Sequence, residues 1–160
     1  MNTLIKAHKL VKNVLKYSCF VIMTSLLVIV CWQVLARYVL NNPSSISEEL
    51  SRLLLMWLGL LGAAYTTGLG SHISIDLISL KLNAQQLDKL KYFQFIIMGL
   101  VSFVLLRGGM FLVDNAMSLE QKTPVLEIPQ SFVYIVIPIS GVCMLFFNLV
   151  DILKLGESRD

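Results

Sequence analysis

The chain has 160 residues and a mass of 18.0 kDa, which leaves room for one domain. Hydrophobic residues make up 56% of the chain, charged residues only 14%, and the mean hydropathy is +0.76. A water-soluble protein this small cannot bury so many apolar side chains, because small domains bury only part of their surface. The composition therefore excludes a disordered chain and a conventional soluble enzyme, and it predicts an all-α integral membrane protein.

Residues 1–15 form a basic segment ahead of the first long apolar stretch. Apolar residues recur there at helical spacing, and Lys6, Lys9 and Lys12 fill much of the remaining surface. This pattern predicts a short amphipathic helix that lies on the membrane surface. The alternative is a frayed basic tail whose only role is to set the topology.

Four apolar stretches follow, at about residues 17–40, 50–70, 92–113 and 132–153. Each is close to the ~20 residues that a helix needs to cross the hydrocarbon core. A cleaved signal peptide is the alternative interpretation of the first stretch, but the apolar part of such a peptide is only ~7–15 residues long. The sequence therefore predicts a single domain, residues 1–160, with four transmembrane helices.

Positive charge is unevenly divided between the two sides of these spans. Nine lysines and arginines lie in the two termini and in the loop between spans two and three, whereas the other two loops contain only Lys122 outside the helix ends. Because cytoplasmic loops carry the excess of positive charge, both termini are predicted to be cytoplasmic.

Charged side chains also lie close to the opposite, outer ends of the spans. Three arginines and three acidic residues are expected near one depth, the deepest of them about 9 Å inside span three by helical rise. We call these residues the outer charge layer: Arg37, Glu48, Glu49, Arg52, Arg107 and Asp114. The layer is either a docking or transport-related site, or a structural ion network, or a set of arginine side chains that snorkel to the head groups. No acidic residue falls at a predicted midplane, which argues against a proton-coupled exporter.

Small residues recur along span two. Gly59, Gly62, Ala63 and Thr66 are three or four residues apart and share one helix face. Such a face allows another helix to approach closely. The partner is either another span of this chain, which the sequence slightly favours, or another subunit.

Few residues could perform catalysis or bind a metal. The three cysteines lie in apolar runs and form no CxxC pair. His72 and Asp76 are four residues apart, a spacing typical of a contact that orders a loop, and two ligands alone do not make a metal site. The chain is not predicted to be an enzyme, and no cofactor, metal or nucleic acid is expected.

Several short motifs occur in an order typical of one family. They are RYV at 37–39, SEELSR at 47–52, WLGLLGAA at 57–64, HISID at 72–76, IP at 128–129 and IPI at 137–139. From about Val34 to Ile139 the chain resembles the small, Q-type (DctQ-like) membrane subunit of tripartite ATP-independent periplasmic (TRAP) transporters. One departure is Gln130-Ser131-Phe132 after Pro129, where an aromatic residue often follows at once in the family.

The resemblance implies both partners and a function. A large multi-span membrane subunit carries the substrate and sodium sites, and a periplasmic binding protein delivers the substrate. The small subunit braces the large one in the lipid of the bacterial inner membrane, and the sodium gradient drives uptake of an organic acid such as sialic acid or a C4-dicarboxylate. Glu120 and Lys122, in the loop between spans three and four, are candidate docking residues for the binding protein.

A four-span membrane enzyme of the glutathione-transferase type is the alternative function. Such an enzyme needs a polar cofactor pocket within the spans. Arg107 in span three is the one residue that supports this alternative function.

Overall fold

The computed structural model describes residues 2–42, 44–69 and 84–157. These residues form five helices: α1 (Asn2–Tyr38), α2 (Ser45–Gly68), α3 (Ala84–Ser118), α4 (Gln130–Tyr134) and α5 (Val136–Glu157). Four stretches are long and apolar enough to cross a bilayer, namely Lys6–Tyr38, Ser45–Gly68, Tyr92–Ser118 and Gln130–Leu153. The predicted all-α membrane fold with four spans is confirmed.

The N-terminal segment is helical, as predicted, but it is not a separate helix. α1 continues without a break for 37 residues, because this stretch contains neither glycine nor proline. It is about 55 Å long, well beyond the ~30 Å hydrocarbon core. Leu15, at the predicted boundary, is only 4% exposed and belongs to the hydrophobic core. Residues 2–15 are therefore the first turns of α1, and they pack partly against the other helices.

The helices stand in a row. α1 packs on α2, α2 on α5, and α5 on α3, while α1 and α5 touch only slightly. α1 and α3 therefore form the two sides of the row, with α2 and α5 between them. Residues 39–42 and the loop at residues 119–129 lie at one end, called here the loop end, and the first described residues of α1 and the last of α5 lie at the other, called the terminus end.

α3 and α5 make the closest helix contact in the described part of the chain. A Cβ atom on Gly109 would lie 2.7 Å from Cδ of Pro138, and one on Gly141 would lie 2.9 Å from the backbone nitrogen of Leu106. Glycine at these two positions lets the backbones approach. Between them Ser102 and Ser140 are fully buried, and each hydroxyl donates to a carbonyl of its own helix.

The fourth span is divided into α4 and α5 at Ile135. Pro138 lacks an N–H group, so it cannot bond the carbonyl of Tyr134, and its ring crowds that carbonyl. The neighbouring carbonyl, that of Val133, accepts a hydrogen bond from Nε1 of Trp57 on α2 (3.1 Å). This bond ties the middle of α2 to the break.

The core extends to the terminus end. Phe147 is fully buried, and its ring lies 2.7 Å from the position of a Cβ on Gly68, the last residue of α2. The ring of His8 on α1 contacts the same phenylalanine edge-on at 5.0 Å between centroids. Phe147 therefore joins α1, α2 and α5.

Candidate functional site

Glu49 ties the start of α2 to the loop between α3 and α4. Its Oε2 atom accepts hydrogen bonds from the backbone N–H groups of Val125 (2.8 Å) and Leu126 (3.0 Å). A carboxylate acceptor makes these bonds stronger than a neutral one would. Its Oε1 atom is buried and has no hydrogen-bond partner within residues 2–42, 44–69 and 84–157. Glu49 therefore holds a loop backbone, and we call residues 119–129 the clamp loop.

The clamp loop is also bonded internally. The N–H of Thr123 donates to the carbonyl of Ile128 (2.9 Å), and the N–H of Ile128 donates to the Thr123 hydroxyl (3.1 Å). At the base of the loop, the N–H of Gln130 donates to the carbonyl of Gln121 (2.8 Å). Thr123 is only 5% exposed. With the Glu49 contact, these bonds give the loop one defined shape.

Two glutamates of the clamp loop have a left-handed backbone, Glu120 with φ 46° and Glu127 with φ 52°. This conformation costs a non-glycine residue about 1 kcal/mol or more. At Glu120 it closes the end of α3, where the N–H of Gln121 donates to the carbonyl of Ala116 (3.1 Å) as in a glycine C-cap. Both glutamate side chains are exposed.

The two predicted docking residues lie on this loop and are exposed. Lys122 is close in sequence to Glu120, and Leu119 and Val125 add apolar surface that is 66% and 44% exposed. The clamp loop therefore presents a surface of defined shape that combines charged and apolar side chains.

The structure brings together only part of the outer charge layer. Nη2 of Arg52 lies 2.7 Å from Oε1 of Glu48, and both side chains are largely exposed, so the pair contributes at most about 1 kcal/mol. Arg37, Arg107 and Asp114 are exposed, and none of them makes an ion pair with another described residue. The order of the helices explains why Arg37 does not meet Asp114. Arg37 lies on α1 and Asp114 on α3, at opposite sides of the row.

The small-residue face of α2 is open. A Cβ on Gly59 or Gly62 would meet no atom within 4 Å, and Ala63 and Thr66 are exposed. The contact with another span of this chain, which the sequence favours, is not made among the described residues. Two glycines that the sequence analysis did not single out, Gly109 and Gly141, make the close internal contact instead.

A signal for that contact exists in the sequence. Gly108-Gly109 lies in the outer half of span three and Pro138 in span four, and a proline ring in one span leaves room only for a small residue on a closely packed neighbour. The role of Trp57 has no such signal, since its partner is the backbone carbonyl of Val133, and a backbone group is not marked by any residue type.

The predicted loop-ordering pair His72 and Asp76 lies outside the described residues. Within the described part, no group of three or more His, Cys, Asp or Glu side chains is placed to hold a metal ion.

Three similar proteins have related descriptions. The sialic acid TRAP transporter small permease protein SiaQ of Vibrio cholerae is 31% identical over 149 residues, which cover 92% of this chain and 84% of the relative. A Haemophilus influenzae protein described as a candidate TRAP transporter small permease is 26% identical, covering 82% of this chain and 81% of the relative. The C4-dicarboxylate TRAP transporter small permease protein DctQ of Rhodobacter capsulatus is 31% identical over 62% of this chain and 44% of its own length.

A protein-family model matches most of the chain, as the first relative does. Residues 26–156 match the family model for the DctQ component of tripartite ATP-independent periplasmic transporters. The match reaches into all four spans, and it agrees with the motifs at 37–39, 47–52 and 57–64. The chain therefore belongs to the DctQ family, the small membrane subunits of TRAP transporters.

Proposed function

We propose that this chain is the small membrane subunit of a sodium-driven TRAP transporter for an organic acid, and that it braces a large membrane subunit. The observation that carries the proposal is the match to the DctQ component over residues 26–156. We infer sodium as the driving ion from the family resemblance. The similar proteins are transporter subunits, and we assign no catalytic role to this chain.

The arrangement of the helices supports a scaffold. Polar contacts join neighbouring helices, among them Gln33 to Ser51 between α1 and α2 (3.1 Å), Trp57 to Val133 between α2 and α4 (3.1 Å), and Asn148 to Phe95 between α5 and α3 (3.1 Å). Hydrogen bonds between spans have few competitors in lipid. A row fastened in this way keeps its shape while a neighbouring subunit moves.

The open face of α2 is the proposed contact with the large subunit. Leu55 (61% exposed), Gly59, Gly62, Ala63 and Thr66 lie on this face. The hydroxyl of Thr66 is satisfied within α2, since it donates to the carbonyl of Ala63 (2.9 Å). The face therefore requires no polar partner, and it is shallow enough for a helix of another chain to pack closely.

The clamp loop is the proposed docking surface for the periplasmic binding protein. Its internal bonds and the Glu49 contact support this role, because a surface with a fixed shape loses little conformational entropy on binding. The role requires the loop end to face the periplasm. The distribution of lysine and arginine supports that orientation, with both termini in the cytoplasm and the protein in the bacterial inner membrane.

Sialic acid and a C4-dicarboxylate are the two candidate substrates. The relative named for sialic acid matches 92% of this chain, whereas the relative named for C4-dicarboxylates matches 62%. We therefore propose sialic acid as the first substrate to test.

Reconstitution in proteoliposomes tests the function. The large membrane subunit is inserted with or without this chain, the binding protein is added outside, and uptake of labelled sialic acid and succinate is measured with and without a sodium gradient. We expect uptake that needs this chain, the binding protein and the gradient, and that does not need ATP. Equal uptake by the large subunit alone would refute the scaffold role, and uptake that requires ATP would refute a TRAP transporter.

A further inference from the structure

Arg107 lies deeper in the membrane than the sequence predicts. The third span is Tyr92–Ser118, and Arg107 is two residues past its midpoint. Because α3 continues to Ser118, the arginine is about 16 Å from the end of the helix by helical rise. The apolar run alone places it about 9 Å inside the span.

The contact between α3 and α5 gives the same depth. Gly141 of α5 lies against the backbone of Leu106, the residue before Arg107. The fourth span is Gln130–Leu153, and its midpoint falls beside Gly141. Two spans therefore agree that Arg107 is close to the middle of the membrane.

The Arg107 side chain points away from the rest of the chain. Gly109, two residues further on, faces α5, and two residues turn an α-helix by about 200°. Arg107 therefore lies almost opposite the α5 contact, and it is exposed. No described residue forms an ion pair with it.

The lipid head groups are poor partners for this side chain. Snorkelling serves arginines near the ends of spans, and Arg107 is far from both ends. Side chains of a helix also lean toward its N-terminus, which for α3 is at the terminus end of the row. Arg107 thus leans toward Tyr92, the more distant end of the span, about 22 Å away by helical rise.

A second copy of this chain offers no suitable counter-charge. Acidic residues occur in the four spans only close to their ends, at Glu48, Glu49, Asp114 and Asp151. Copies inserted in the same orientation place equal residues at equal depth, so Arg107 would meet no carboxylate at the middle of the membrane. The counter-charge therefore has to come from another protein.

We propose that Arg107 forms an ion pair within the membrane with an acidic side chain of the large membrane subunit. This inference rests on the proposed assembly with that subunit. A charge at the middle of a bilayer is costly unless it is paired, and a carboxylate matches the guanidinium with two parallel hydrogen bonds. The pair gives α3 a contact with the large subunit in addition to the α2 face.

Co-purification of the full chain with the large subunit tests the proposal. Arg107→Met should weaken association by about a hundredfold or more, because it leaves a buried carboxylate unpaired. Arg107→Lys, which keeps the charge, should retain most of the complex. Full assembly of the Arg107→Met variant would overturn the proposal.

The same variant purified alone gives a second measurement. Without the large subunit, Arg107→Met should melt no lower than the wild type, because it removes a charge that has no partner there. A lower melting temperature would show that the partner of Arg107 lies within this chain, and it would overturn the proposal.

Arg37→Met is the matched control. Arg37 is also exposed and makes no ion pair with the described residues, but it is next to the last residue of α1. The Arg37→Met variant should assemble at near wild-type levels. An equal loss for both variants would show that the complex responds to total charge and not to depth, which would overturn the proposal.

Gly108→Leu should also keep the ion pair. Position 108 is about 100° round α3 from Arg107, and a long arginine side chain can reach a carboxylate without close contact between the helices.

A charge exchange identifies the partner residue. Arg107→Glu should abolish assembly, because it places two carboxylates together in the membrane. In this background each acidic residue in the spans of the large subunit is changed in turn to lysine, and one such change should restore co-purification. Restoration by none of them would overturn the proposal. If the wild-type chain itself did not co-purify, the proposed function would fail instead, so the two failures are distinguishable.

Discussion

Gly109 of α3 lies directly against Pro138 of α5, so that a Cβ atom at position 109 would be 2.7 Å from both Cδ and the backbone nitrogen of the proline. Neither atom belongs to a flexible side chain, and therefore neither can move aside easily. The neighbouring Gly108 faces the other way, and a Cβ there would meet nothing within 4 Å.

This pair gives a matched test of the closest helix contact. Gly109→Ala should destabilise the protein by about 1–3 kcal/mol through overpacking. Gly108→Ala should be neutral or stabilising by about 0.5–1 kcal/mol, because alanine is the better helix former. Thermal unfolding of the two purified variants in detergent measures the difference, and equal melting temperatures would contradict the contact.

Gly62→Leu should separate assembly from folding. The α2 face is open around Gly62, so the variant chain should keep its thermal stability when purified alone. It should lose co-purification with the large subunit, because leucine holds the two helices apart, and Gly62→Ala should lose less.

Gly108→Leu is the control for that prediction, since Gly108 is equally open but lies on α3. Wild-type levels of complex for Gly62→Leu, or an equal loss for both variants, would argue against the α2 face as the interface.

Glu49→Ala should release the clamp loop. The variant loses the acceptor of two backbone N–H bonds, and bonds to a charged acceptor are worth about 1.5–3 kcal/mol each. Hydrogen–deuterium exchange should therefore accelerate at the amides of Val125 and Leu126. Glu48→Ala, which removes only the exposed pair with Arg52, should leave both amides protected.

Lys122→Glu should weaken docking without affecting the fold. Lys122 is exposed and makes no ion pair with the described residues, so the melting temperature of the complex should be unchanged. Uptake should fall at low binding-protein concentration and recover at high concentration, because rim charges act mainly on the rate of association. A loss that persists at saturating binding protein would point to a role in transport itself.

The sequence was sufficient to predict the four spans, but it did not predict all of their boundaries. Hydropathy predicts four helices because lipid requires continuous apolar segments, and all four are present. It also separates residues 1–15 from the first span, because it detects the change from basic to apolar residues. The backbone does not change there, and Leu15 is part of the core.

At the candidate site, too, the sequence predicts one contact and misses another. The spacing of Glu48 and Arg52 predicts their contact, because four residues make one helical turn, and the pair is present at 2.7 Å. Glu49 is adjacent in sequence but contacts a loop 76 residues away. Spacing carries no information on such a contact, since it depends on which helices are neighbours.

The order of the helices in the row has a consequence for how the protein is made. α1 packs on α2, and α3 packs on α5, so each half of the chain forms a hairpin from consecutive spans. The first hairpin can enter the membrane and pack while the second is still being synthesised. The contacts of Trp57 with Val133 and of Glu49 with Val125 join the two halves, so both must form after the second hairpin has inserted. In an incomplete chain that ends before the third span, the indole N–H of Trp57 and the carboxylate of Glu49 would both lack these partners.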